Sequence, residues 1–115
     1  MKRGFISIGN TIIETLLALS FEEQVRGLMY VDPPVPNMTF VYSYPQVNKF
    51  WMKNTPSQLD IVFCCKGMVT EICYGEPYSM STIGSNMFSD LIVEMPYGTT
   101  KKLGISVGSK IKLFD

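Results

Sequence analysis

The chain has 115 residues, of which ten are basic and ten acidic, none is histidine and 46% are apolar. That is material for one domain with its own core, of radius about 13 Å. The missing imidazole excludes Ser-His-Asp and Cys-His catalysis and every His-bearing metal site, and the net charge of zero supplies no field to draw the chain to nucleic acid or an anionic membrane.

Residues 1–11 are expected to be loosely attached. Met1-Lys2-Arg3 ahead of apolar residues imitates a signal peptide, but Ser7, Gly9, Asn10 and Glu14 interrupt the run and Leu19 is too large for a good cleavage site. The reading is an unexported, cytoplasmic chain, and no apolar run has the length of a membrane span. Residues 12–19 read as a mostly buried strand. Ser20-Phe21-Glu22-Glu23 carries a capping box and opens an amphipathic helix of about two to three turns, with Phe21, Val25, Leu28 and Met29 on its apolar face. The Pro-rich residues 32–36 stop it and form an extended connector.

Strands are then expected at residues 38–42 and 47–53. In the second, Phe50 and Met52 share one face and Lys49, Trp51 and Lys53 the other. Residues 59–65 and 68–74 flank Lys66-Gly67, which reads as a two-residue hairpin turn. Residues 76–89 form the longest stretch without a pattern, a functional or mobile loop. A strand at 90–95, a helical turn at 99–103 ended by Gly104 and a last strand at 110–114 complete the chain. The expectation is a mainly β (α+β) single domain over residues 1–115. It is a compact barrel-like sheet of six or seven short strands with one short amphipathic helix near the N-terminus.

Cys64, Cys65 and Cys73 form no CxxC, and the first two point to opposite faces of a strand, so they read as small buried hydrophobes in a reducing compartment. The eight methionines read as core filler. No metal site and no cofactor are expected.

The densest cluster of chemistry is Phe50-Trp51-Met52-Lys53-Asn54-Thr55-Pro56, followed by Leu59-Asp60-Ile61. Aromatic surface, amide, hydroxyl, ammonium and carboxylate at one strand end suit a small polar ligand. The competing reading makes Asn54 and Thr55 turn residues and lets Asp60 pair with Lys53 or close the turn; chemistry alone favours it.

Arg26-Gly27-Leu28-Met29, Phe50-Trp51-Met52-Lys53-Asn54-Thr55 and Leu59-Asp60-Ile61-Val62-Phe63 together resemble a widespread family of uncharacterised microbial proteins, the domain of unknown function 192. The likeness extends to Leu91-Ile92-Val93-Glu94, Gly98 and Gly104-Ile105-Ser106-Val107-Gly108, about residues 12–114 in all. The resemblance implies a small, barrel-like β domain with little helix and no established activity. Arg26, Gly27, Trp51, Met52, Lys53, Asn54, Thr55 and Asp60 fall on its motif positions, as a shared site or shared structure. The chain departs from the pattern at Cys64-Cys65 and Ser109, where acids are usual, at Tyr30-Val31-Asp32-Pro33-Pro34, and at Asn37, where Gly is usual. These departures suggest a divergent, minimal version of mobile-element or viral origin.

Three functions follow. The first is a module that binds a small polar ligand or a protein partner around residues 51–60, as a monomer or homodimer and without a membrane. Its candidate residues are Arg26, Trp51, Met52, Lys53, Asn54, Thr55 and Asp60, with an Arg26–Asp60 or Lys53–Asp60 pair holding the site. The second is a hydrolase-like or other small enzyme using Lys53 and Asp60. Without histidine its acid or base must come from Asp60, Asp90, Glu94, Lys53 or Tyr97, and structural pairing is the commoner use of such groups, which weighs against an enzyme. The third is weak nucleic-acid binding through Lys101, Lys102, Lys110 and Lys112, with Phe50 and Trp51 to stack bases; the neutral net charge disfavours it.

Overall fold

The computed structural model describes residues 1–114, in which seven strands and two short helices follow one another. They are β1 (Lys2–Ile8), β2 (Thr11–Ala18), α1 (Phe21–Arg26), β3 (Met38–Val47), β4 (Leu59–Cys65), β5 (Met68–Gly75), β6 (Phe88–Pro96), α2 (Thr99–Leu103) and β7 (Ile111–Phe114). The strands form one sheet in the order β5-β4-β6-β3-β2-β1-β7. Every pairing is antiparallel except β2 with β3, which α1 and the proline connector separate. The sheet curls until its two edges touch. Val69 N–H donates to Ser109 O at 2.8 Å, Gly108 N–H to Val69 O at 2.8 Å and Ile111 N–H to Gly67 O at 3.0 Å. The Cα radius of gyration is 12.6 Å, the size expected of a compact chain this long.

Alternation along the strands builds two cores, one on each face of the sheet. Ile6, Ile8, Val62, Cys64, Val69, Val93, Met95 and Ile111 fill the inside of the curl. Leu59, Ile61, Phe63, Ile92, Met38 and Phe40 form the outer face. An outward apolar face needs a cover, and the segments without ladders supply it: Leu28, Val31 and Val35 after α1, and Phe50 and Met52 from residues 48–58. Phe50 anchors that cover by edge contacts to Phe40 at 5.0 Å and Phe63 at 5.8 Å between ring centroids. No helix among the described residues is long and apolar enough to cross a membrane.

The mainly β, barrel-like architecture and its short helix are as the sequence implies. Lys66 and Gly67 close the β4–β5 hairpin, both at positive φ. Three local expectations are corrected. Residues 1–11 are not loosely attached: β1 lies between β2 and β7, with Ile6 and Ile8 fully buried. Gly4 permits that placement, since a Cβ there would fall 3.0 Å from Phe114 O and 3.1 Å from Leu17. Residues 47–53 are not a strand beyond Val47. Phe50 and Met52 do face the core and Lys49, Trp51 and Lys53 solvent, but the segment pairs with loop residues instead of a ladder. Phe50 and Ile83 exchange backbone bonds at 3.0 and 2.8 Å, and Met52 N–H donates to Ser79 O at 2.9 Å. Finally, α1 has only six residues, because Gly27 leaves helical conformation at φ 51°, ψ −129°.

Candidate functional site

A cavity of about 440 Å³ opens on the outer face of the sheet. Its floor is β6. Strand alternation sends Ile92 and Glu94 outward, and the register sets Glu94 between Ile61 of β4 and Met38 of β3. Its two walls are the chain around the end of α1 and residues 48–55.

The first wall is fixed locally. Ser20 caps α1 by accepting from Glu23 N–H at 3.1 Å, and the Glu23 carboxylate accepts in return from Ser20 N–H at 3.1 Å. These backbone donors hold the exposed Glu23 carboxyl below its usual range. Gln24 Nε2 donates to Ala18 O and Val41 O, both at 3.0 Å, and so pins the helix to β2 and β3. Gly27 then passes directly over the floor: a Cβ on it would stand 3.5 Å from both Glu94 Oε1 and the Phe40 ring. The second wall is tied to the first. Tyr30 N–H donates to Asn54 O at 2.7 Å, and Asn54 Nδ2 donates to the Tyr30 hydroxyl at 2.9 Å. At the other end, buried Asn48 donates to Ser89 O at 3.0 Å and to Ser89 Oγ at 2.9 Å.

Glu94 is 4% exposed, and its Oε1 has no hydrogen-bond partner among the described residues. Burial without a partner penalises the charged form and pushes its carboxyl up to about 8. Near neutrality the floor of the cavity is therefore mostly a neutral acid. Half-buried Tyr42, which also lines the cavity, has its phenol raised by desolvation first and by Glu94 second. Around the mouth stand Phe21 and Val25 of α1, both exposed, and Trp51, 45% exposed. Arg26 and Lys49 are the two basic lining residues, and neither has an ion-pair partner among the described residues.

Of the residues singled out from the sequence, Arg26, Trp51 and Thr55 line this cavity. Thr55 is buried, with its hydroxyl donating to Lys53 O at 3.1 Å. Lys53 extends over the outer side of the Trp51 ring, Nζ 5.2 Å from its centroid. Asn54, at φ 56°, serves the clamp to Tyr30. Met52 is fully buried in the outer core, filling the space that a Cβ on Gly75 would need, 2.6 Å from its Sδ. Asp60 is not brought to the group. It lies on the inner face, where Oδ2 accepts from Gly98 N–H at 3.1 Å, Thr100 N–H at 2.9 Å and the Thr100 hydroxyl at 2.9 Å. Its partners are the start of α2, and it pairs with neither Arg26 nor Lys53.

The other acid and base candidates are occupied elsewhere. Asp90 accepts from Lys66 N–H at 3.1 Å, and Tyr97 packs edge-on against Tyr74 at 5.0 Å. Among the acids named from the sequence, Glu94 alone faces the cavity. A lone acid inside the run Leu91-Ile92-Val93-Glu94-Met95 was its sequence signal. Gln24, Tyr42, Gln46 and Lys49 carry no comparable mark. The cysteines are free and apart, and burial pushes Cys64 up to about 12 and Cys73 up to about 11, away from thiolate chemistry. Lys101, Lys102, Lys110 and Lys112 are all exposed, in and between α2 and β7.

Residues 5–113 match the family model for domain of unknown function 192, described as "Uncharacterized ACR". Two solved structures are similar in fold. A "putative transcription regulator" from Sinorhizobium meliloti 1021 is 26% identical with a TM-score of 0.91, over 97% of this chain and 94% of its own. A protein of unknown function from Novosphingobium aromaticivorans DSM 12444 is 27% identical with a TM-score of 0.86, over 94% of this chain and 83% of its own. No curated protein matches the chain.

Proposed function

The chain belongs to the domain of unknown function 192 family, and within that uncharacterised family we propose that it is a small-molecule-binding module whose site is the cavity above Glu94. The observation that carries this reading is the unpartnered Glu94 Oε1 at the floor of an open cavity. Buried polar atoms in folded proteins almost always find a partner, and an acid left without one destabilises the fold. A ligand that brings the missing hydrogen bond recovers that cost on binding. The volume of about 440 Å³ falls in the range of small-molecule sites, about 300–1,000 Å³. The surroundings support binding: apolar walls, two cationic groups at the mouth, and no second carboxyl beside Glu94 among the described lining residues.

The test is a thermal-shift screen of a broad small-molecule library on the wild-type protein and on Glu94→Gln. A ligand at 100 times its Kd raises stability by about 2.7 kcal/mol. Hits that shift the wild type and lose most of the shift in Glu94→Gln support the site. Hits that shift both proteins equally, or no hits at all, refute it.

A further inference from the structure

Resting on that reading of the cavity, we propose that its ligand is a small zwitterion of the amino-acid type. The ammonium end meets Glu94 at the floor, the carboxylate meets Arg26 and Lys49 at the mouth, and the apolar body lies against Trp51 and Phe21.

Three observations point the same way. Glu94 lacks a donor, and none of the described residues supplies one. Gly27, which has no side chain, is the part of the wall that covers the carboxyl, with 3.5 Å between Oε1 and the place a Cβ would occupy, so the ammonium enters beside it. A buried carboxylate is best satisfied by a cation that also donates hydrogen bonds, so the deep end of the ligand is an ammonium. The mouth has the opposite character. Arg26 and Lys49 line it without ion-pair partners, and the lining holds no acid besides Glu94. A simple amine would be repelled there, and a simple carboxylate would leave the floor unpartnered. A molecule with both charges satisfies both ends. Phe21 and Trp51, exposed on either side of the opening, provide apolar surface between them.

The pairing has a proton signature. The titratable and charged groups that line the cavity with Glu94 are Arg26 from the α1 wall, Lys49 from the opposite wall and Tyr42 from β3, of which Tyr42 is the one coupled to the acid. Burial keeps the empty-site Glu94 protonated near pH 7. When a ligand ammonium enters, the acid's O–H bond breaks, its electrons remain on the carboxylate and the proton leaves to solvent. Binding at pH 7 therefore releases close to one proton.

Isothermal titration calorimetry at pH 7, in two buffers of different ionisation enthalpy, tests this. The probes are free aliphatic and aromatic α-amino acids, the matched carboxylic acids without the amine, and the matched amines without the carboxylate. The expected result is binding by at least one zwitterion, with both truncated forms about 10-fold weaker or more. Proton release should approach one per ligand and vanish in Glu94→Gln. Arg26→Gln, at the exposed end of α1, should weaken the zwitterion about 10-fold as well. Truncated carboxylates that bind as well as the zwitterions, without proton release, overturn the zwitterion and leave the cavity a ligand site. If no probe binds, the zwitterion falls; if the broad library also leaves the wild type unshifted, the cavity reading falls with it.

Discussion

Asp60 and Glu94 sit one register step apart on neighbouring strands, since Asp60 faces Met95 and Ile61 faces Glu94. Both are buried acids, yet the pleat sends them to opposite faces of the sheet and into opposite circumstances. Asp60 Oδ2 accepts three hydrogen bonds from Gly98 and Thr100, so the fold itself satisfies its charge. Glu94 Oε1 accepts none. Burial is common to both and distinguishes nothing. What separates the two acids is whether the fold supplies donors to them. The α2 turn is built onto Asp60, whereas the polar groups above Glu94, Gln24 and Asn54, spend their hydrogen bonds elsewhere and bring it no donor.

The largest expected effect breaks the satisfied half of this pair. Asp60→Ala leaves three donors without an acceptor at the start of α2 and should cost about 4 kcal/mol in urea denaturation. Asp60→Asn, which keeps one carbonyl oxygen, should cost less than half of that. If Asp60→Ala is neutral, the contrast with Glu94 has no energetic content.

Of similar size is the unsatisfied half, and its sign is reversed. The folded protein holds the Glu94 proton up to about pH 8, while the unfolded chain loses it near the ordinary glutamate value of 4.5. The bound proton stabilises the fold fully below pH 4.5, and this contribution is lost as pH rises towards 8. Glu94→Gln carries no such proton. It should match the wild type near pH 4.5 and be roughly 4 kcal/mol more stable at pH 8. Denaturation curves at pH 5, 6.5 and 8 would show the two proteins diverging; parallel curves would mean that Glu94 is ionised and partnered after all.

A smaller effect sharpens the comparison at the glycine. Gly27 has φ 51° and ψ −129°, a conformation that suits only glycine, so Gly27→Ala should cost about 2 kcal/mol. The alanine Cβ meets Glu94 Oε1 only at van der Waals distance, so the pH dependence of stability should survive the substitution. A flattened pH profile would show instead that the close passage of Gly27 is what keeps the acid out of water.

How far these features can be read from the sequence depends on how local their causes are. The β4–β5 hairpin, the Ser20 capping box and the Gly104 helix end are set by adjacent residues and were legible. Residues 48–53 were half legible: alternation gave the correct faces for Phe50 and Met52, because facing depends on neighbours one and two positions away. It could not tell that their backbone bonds go to Ser79 and Ile83 in a loop, since pairing partners lie outside the segment. The strand at residues 2–8 was hidden by its charged start and by Gly4, whose close approach to β7 exists only after the sheet curls. Of the residues that line the cavity, Arg26, Trp51 and Thr55 stood out in the sequence as motif positions. Asp60 was grouped with them by sequence proximity, which the pleat reverses. Glu94 was one of five possible acids or bases, and only the whole inventory of donors around it, drawn from α1, β3 and β6, sets it apart.

The smallest effect tests whether the walls matter to the acid below them. Asn54 joins the two walls through its carbonyl, which accepts from Tyr30 N–H, and through its side chain, which donates to the Tyr30 hydroxyl. Asn54→Ala keeps the first bond, loses the second and places alanine at φ 56°, where asparagine is better tolerated. The cost should be about 1 kcal/mol. Asn54→Gly, which relieves the backbone and still removes the side-chain bond, should recover part of it. Because the lost bond holds the cavity walls and not the sheet, amide exchange should quicken at Tyr30 and Thr55 while β4 and β6 stay protected. Equal acceleration throughout the sheet would place Asn54 with Asp60 among the residues that hold the fold, and would leave the chain above Glu94 no more mobile than the chain below it.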